Sequence, residues 1–220
     1  MERKKKDNKA GSRRILLVFC FALASTRALA AGVEVDGATS TSLDTAPNGV
    51  PIVNIARPNT RGLSHNTYRR FNVESDGLIL NNATRSVVKT QLGGQILGNS
   101  RLDSAARVIL NEVTSTNRSY LRGYTEVAGH GADVVIANPN GISVNGAGFI
   151  NVPRVTLTTG VPEIDQLGNL SGFDVRGGEI AIEGDGLNTG SQSVTSIYTH
   201  FLNLNAKLHA QDLDLALGIN

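Results

Sequence analysis

The stretch 133–160 constrains the fold most. It holds three short apolar runs, at 134–136, 142–144 and 155–157, with turn formers between them. Asn138-Pro139-Asn140-Gly141 puts four favourable turn residues in a row. The proline ring presets φ for position i+1 of a type I turn, Asn140 tolerates the bridge region, and Gly141 can leave with φ > 0. The Asn138 side chain can fold back onto the backbone two residues on. Asn145-Gly146 marks a second turn. A strand enters each turn and a strand leaves it.

The same pattern recurs along the chain. Residues 50–56 give a first strand through Ile52, Val53 and Ile55, and Val33 and Val35 suggest an edge strand before it. Short apolar runs at 78–80, 87–88, 108–110, 173–175, 180–182, 202–204 and 213–215 read as further strands. Between Gly178 and Gly184, alternation puts Ile180 and Ile182 on one face and Glu179, Ala181 and Glu183 on the other. No long stretch has a helical period; a turn of helix fits best in 189–202. Many short strands suit a sandwich, a barrel or a β-helix. Three features favour the β-helix. The strands arrive in closely spaced groups. Asn81, Asn82, Asn111, Asn138, Asn145, Asn151 and Asn203 sit at strand ends, where an amide could stack on an Asn of the next coil. Small and β-branched residues fill the strands, and with no Trp and 5% aromatics the interior must be narrow. No repeat of fixed length is visible.

Several motifs together resemble a known family. Asn138-Pro139-Asn140-Gly141-Ile142, Gly148-Phe149-Ile150-Asn151 and the run 154–160 are similar to the secretion domain of two-partner-secretion exoproteins. That family includes filamentous haemagglutinin, related haemolysins and adhesins, and contact-dependent growth inhibition exoproteins. The segments 65–73, 77–82, 91–94, 109–113 and 169–176 continue the resemblance, which covers roughly 47–213. It implies an all-β chain wound as a right-handed parallel β-helix, with an N-terminal cap and β-hairpins outside the coil. It further implies a cognate outer-membrane β-barrel transporter with POTRA domains, reached from the periplasm after export by the Sec machinery. Asn138, Pro139, Asn140, Gly141 and Ile142 would form a transporter-recognition or folding motif. Asn81, Asn82, Asn111 and Glu112 join them with less weight. Many family members carry an earlier Asn-Pro-Asn-Leu; here the matching place reads Asn99-Ser100-Arg101-Leu102 and lacks the proline. Only Asn99 and Leu102 carry over.

The N-terminus reads as a secretory signal. Seven Lys and Arg precede residue 15, an apolar run follows at 15–24, and Ala28-Leu29-Ala30 offers small residues for cleavage after Ala30. The run is shorter than the roughly 20 residues needed to span a bilayer. A twin-arginine signal and lipidation at Cys20 fit less well. Domain organisation follows: a signal peptide at 1–30, an extended lead-in or cap strand at 31–46, and a β-helical secretion domain at 47–220. Removing 1–30 takes 8 of the 21 cations and 2 of the 19 acids, leaving 13 − 17 = −4. That balance argues against a polybasic nucleic-acid reader. Cys20 is the only cysteine, so no disulfide could lock the processed chain or obstruct single-file passage. Residues 202–217 still alternate with no polar cap, which suggests a parent whose coil continues.

Chemistry is hard to find in this sequence. His65, His130, His200 and His209 are dispersed, and no phosphate loop or nucleophile elbow is present. Ser86-x-x-Lys89 and Glu183-Gly184-Asp185-Gly186 read as coincidence and as a turn. No enzyme activity, cofactor or metal is expected. Asn138–Ile142 has two compatible readings, a corner turn and a segment that a transporter reads, since a POTRA sheet can accept an extended chain as an added strand. A surface adhesin binding glycan, or a pectate-lyase-like enzyme, has less support: no aromatic platform and no acidic cluster stands out. Any receptor on a host or neighbouring cell would be met through the parent protein.

Overall fold

The computed structural model describes Met1 and residues 32–218. The expected signal peptide, with Cys20, Ala28 and Ala30, lies outside the described residues. Three sheets run side by side along one axis. Sheet A contains, in spatial order, β1 (Val33–Val35), β4 (Leu63–Phe71), β8 (Val108–Val113), β11 (Asp133–Ala137), β14 (Arg154–Thr158), β19 (Val194–Thr199) and β22 (Leu213–Leu217). Sheet B contains β2 (Ser42–Thr45), β3 (Pro51–Asn54), β5 (Leu78–Asn82), β10 (Tyr124–Gly129), β13 (Ala147–Ile150), β18 (Leu187–Thr189) and β21 (Leu208–Ala210). Sheet C contains β9 (Ser119–Leu121), β12 (Ile142–Val144), β17 (Glu179–Ile182) and β20 (Phe201–Leu204). Two hairpins stand apart: β6 (Val87–Thr90) with β7 (Gly94–Leu97), and β15 (Val161–Ile164) with β16 (Leu170–Asp174).

The chain visits sheets B, A and C in turn, and each new strand pairs parallel with the strand one coil earlier. This is a parallel β-helix. Stacking at about 4.8 Å per rung brings like side chains into columns. On sheet A one column is Ile109, Val134, Val155, Thr195; its neighbour is Asn66, Asn111, Ile136, Leu157, Ile197. On sheet C, Ser119, Ile142 and Ile180 form another. Apart from the polar ends of these columns, the members are fully buried aliphatic side chains, and together with Leu78, Leu80 and Val144 they form the main core. β-branched residues fit because they pack well against like neighbours on a pleated surface.

Register explains the missing repeat. Val134 pairs with Val155, 21 residues on, and Val108 with Asp133, 25 on. Leu63 pairs with Val108, 45 on, and Val155 with Thr195, 40 on. The two long intervals are the ones that contain the hairpins, each adding about one coil's length of chain. The runs at 87–88 and 173–175 therefore do not belong to the coil: the first lies in β6, and the second begins at the end of β16. The 189–202 segment holds no helix; β18 ends in it, β19 fills its middle and β20 begins at its end. Its polar positions Thr195 and Thr199 are fully buried inside the coil, which obscures the strand pattern.

The N-terminal end is closed by reversal of direction. Strand β1 pairs antiparallel with β4, and β2, which the sequence did not signal, pairs antiparallel with β3. Asp36 ties this cap to the coil: Thr67 donates to Oδ1 at 2.6 Å and Thr114 to Oδ2 at 2.8 Å. The antiparallel strands cover edges that would otherwise invite pairing with another chain.

Candidate functional site

The turn after β11 sits at the corner between sheets A and C. Gly141 N–H donates to Asn138 O at 3.0 Å, closing the turn, and Asn140 N–H donates to Asn138 Oδ1 at 2.9 Å. Both bonds are those expected from the sequence. The other half of the Asn138 carboxamide points to the previous coil: Nδ2 donates to Asn117 O and to Ser119 Oγ, each at 2.9 Å. Asn138 N–H donates forward to Thr158 O at 2.9 Å. One fully buried side chain thus binds its own turn and the coil beneath. An aspartate could not do this, because it lacks the donor. Asn140 Nδ2 donates to Ser115 O at 2.6 Å from the exposed side of the turn. Gly141 has φ +103°, and a Cβ there would lie 2.8 Å from Glu179 O. The position needs glycine for both conformation and space. Ile142 drops into the core, fully buried.

The other expected residues occupy related positions. Asn99-Ser100-Arg101-Leu102 forms the same turn without proline: Leu102 N–H donates to Asn99 O at 3.1 Å and Arg101 N–H to Asn99 Oδ1 at 3.2 Å. Asn99 Nδ2 donates to Ile55 O at 2.9 Å, again reaching another coil. The missing proline cost a preset φ but not the geometry. Asn82 pairs with Ala106 as a peptide group would: Nδ2 donates to Ala106 O at 2.9 Å and Oδ1 accepts from Ala106 N–H at 2.7 Å. This closes the base of the β6–β7 insertion. Asn81 Nδ2 donates to Asn54 Oδ1 at 2.8 Å, in register across β3 and β5. Asn111 accepts from the buried Tyr68 hydroxyl at 2.9 Å and donates to Val135 O at 3.2 Å. Glu112 faces outward and meets His65 Nε2 at 2.7 Å. These groups are spread over several coils and do not converge on one pocket. What they share is a task, tying one coil to another.

A family model of the TPS secretion domain matches residues 31–219, which takes in all described residues except Met1. The chain belongs to the TPS secretion domain family. The match agrees with close relatives. The 16S rRNA endonuclease CdiA of Enterobacter cloacae is 48% identical over 220 residues, covering 98% of this chain and 7% of that protein. The tRNA nuclease CdiA of Yersinia mollaretii is 52% identical over 193 residues, covering 87% of this chain and 6% of that protein. The crystal structure of the filamentous hemagglutinin secretion domain superposes with TM-score 0.76 at 36% identity, covering 86% of this chain and 64% of that one. The chain spans only 6–7% of these curated relatives' length, so their nuclease names describe far larger proteins. This TPS domain is a non-enzymatic targeting domain of a CdiA- or haemagglutinin-like exoprotein. Such exoproteins are secreted to the cell surface of Gram-negative bacteria through a cognate outer-membrane transporter.

Sequence reasoning missed the residues that hold the TPS domain's central turn from outside. Arg118 reaches from the second coil to Ile142 O at 3.3 Å and to Glu179 Oε2 at 3.3 Å, spanning three coils. Ser115 and Asn117 both donate to Arg69 O, fixing the corner below. In sequence, Asn117-Arg118-Ser119 suggests only a chance glycosylation triplet. Its one usable signal was its distance from Ile142, about one coil, and that period was hidden.

Proposed function

We propose that this domain addresses its parent to a POTRA-bearing β-barrel transporter while the chain is unfolded, after Sec-dependent delivery to the periplasm and removal of the signal peptide at Ala30. The 138–142 turn then acts in winding the coil at the cell surface. One observation carries this reading. Asn138, Gly141 and Ile142 are buried in the folded domain, leaving only Asn140 exposed and Pro139 half-buried. A partner can read all five residues only before they fold. An extended segment can join a POTRA sheet edge as an added strand, using the backbone groups that later pair between coils. The CdiA relatives favour a parent that is a contact-dependent inhibition toxin, with its effector activity outside this chain.

The test is export with the transporter co-expressed. Asn138→Ala combined with Asn140→Ala should leave the processed chain cell-associated, while Pro139→Ala should be exported more slowly, as the natural Asn99-Ser100-Arg101-Leu102 turn forms without proline. Release of the double variant into the medium at the wild-type rate would refute the role given to this turn.

A further inference from the structure

Hairpin β15–β16 leaves the coil after β14 and runs back over the outer face of sheet A. Its tip reaches the first coil, where Asn59 Nδ2 donates to Gly168 O at 2.7 Å across 109 residues of sequence. Leu170 and Phe173 rest on a small cluster that is separate from the main core. Leu63 of β4, Leu110 of β8, and Val135 and Ala137 of β11 build it. The Phe173 ring also lies 5.9 Å from that of Tyr198 in β19. One hairpin therefore touches four coils. It forms its own two-stranded sheet and adds no strand to sheet A. A groove of about 810 Å³ remains between it and the sheet face. The hairpin is laid across the rungs.

We propose that β15–β16 is a strap that docks after the first four coils have wound and then holds the first coil to the fourth. Its apolar docking cluster comes from three different strands, β4, β8 and β11, so it exists only once they are neighbours, and Tyr198 of β19 adds a contact from the following coil. Asn59 and Gly168 are brought together by the rungs between them and by nothing local. Contacts made after the folding barrier do not speed folding; they slow unfolding. The strap thus makes winding slow to reverse. This inference concerns the folded domain alone and does not depend on how the transporter reads the chain.

The test is the folding and unfolding kinetics of the purified chain in urea, with no transporter present. Asn59→Asp is the selective variant. It keeps Oδ1, which accepts from Arg61 N–H at 2.9 Å and Leu63 N–H at 3.1 Å, and replaces the donor to Gly168 O with a carboxylate oxygen that repels it. It should raise the unfolding rate about threefold, and Phe173→Ala about tenfold, with refolding within about twofold of wild type in both. If Phe173→Ala does not fold, the exposed Asn59 substitution still decides. Slowed refolding with unchanged unfolding would overturn the strap, and so would two unchanged rates. Either result leaves the export reading intact, because that reading is tested in cells.

Discussion

The asparagine carboxamide is the residue-scale device of this protein. It carries a donor and an acceptor at nearly the spacing of a peptide group, so it can pair with backbone where the chain turns a corner. Asn66, Asn82, Asn99, Asn111 and Asn138 all donate to main-chain carbonyls of another segment. The expected stacking of Asn on Asn occurs between Asn81 and Asn54, which are hydrogen-bonded, and between Asn66 and Asn111, which are in register on sheet A. Asn66 and Asn111 nevertheless each give a donor to a main-chain carbonyl, and leaving such a carbonyl buried and unpaired costs about 1–3 kcal/mol. Asp36 shows the converse, a carboxylate placed where only donors converge. Burial raises its pKa, but hydrogen bonds from Thr67, the Ala38 amide and Thr114, with the charge of Arg69, outweigh that and hold it below the usual value. A depressed carboxylate stabilises the fold fully above its unfolded pKa of about 3.9, and this is lost as pH falls through the lower folded value. The gap in urea midpoint between wild type and Asp36→Asn should therefore be constant from about pH 7 to 5 and close below about pH 4. A gap that persists in acid would mean that the carboxylate's charge does not hold the cap.

At the scale of elements, two insertions decide how the coil is read. Local alternation showed strands at 87–88 and 173–175; β6 covers the first and the end of β16 reaches into the second, but each pairs only with the other arm of its own hairpin. Alternation reports which face of a strand is buried, not what lies beside it. The strap places Phe173 over sheet A from outside, so its apolar face looked like a core face. The β6–β7 insertion is closed by Asn82 and braced by Glu126, whose carboxylate accepts from Gln91 N–H at 2.7 Å and Leu92 N–H at 2.8 Å. Asn82 is fully buried, and its Nδ2 also donates to His130 O at 2.9 Å. Asn82→Asp removes both donors and sets a carboxylate against carbonyl oxygens. It should destabilise the domain by about 3 kcal/mol or more. Urea denaturation measures the loss, and limited proteolysis should show new cuts within 83–106. An unchanged midpoint would show that the insertion closes without its staple.

For the whole molecule, the first coil must be sealed before the rest is soluble. β1 and β2 run against the direction of the coil and cover the edges of β4 and β3. Their removal would expose two adjacent strand edges over a core that includes the fully buried Val53, Ile55, Tyr68 and Phe71. Deleting 32–46 should convert the purified domain to large aggregates, as seen by light scattering against the undeleted domain. A monomeric, folded deletion variant would show that the first coil caps itself. The sequence flagged Val33 and Val35 because they are β-branched, and passed over 42–45 because Ser42, Asp44 and Thr45 carry no apolar pattern. β2 is an edge strand, held mainly by its backbone ladder to β3, and backbone bonding leaves no mark on side-chain choice.

The residues alone determined the all-β class, the corner turn at 138–142 and the narrow aliphatic interior. Each follows from preferences within a few neighbours: ring-fixed φ, glycine's freedom, and period-two burial. Tertiary structure decided which strands belong to the coil, which coils each asparagine joins, and that β15–β16 crosses the rungs to Asn59. Those outcomes depend on register across 18 to 45 residues, and insertions of variable length erase the period that would have announced it.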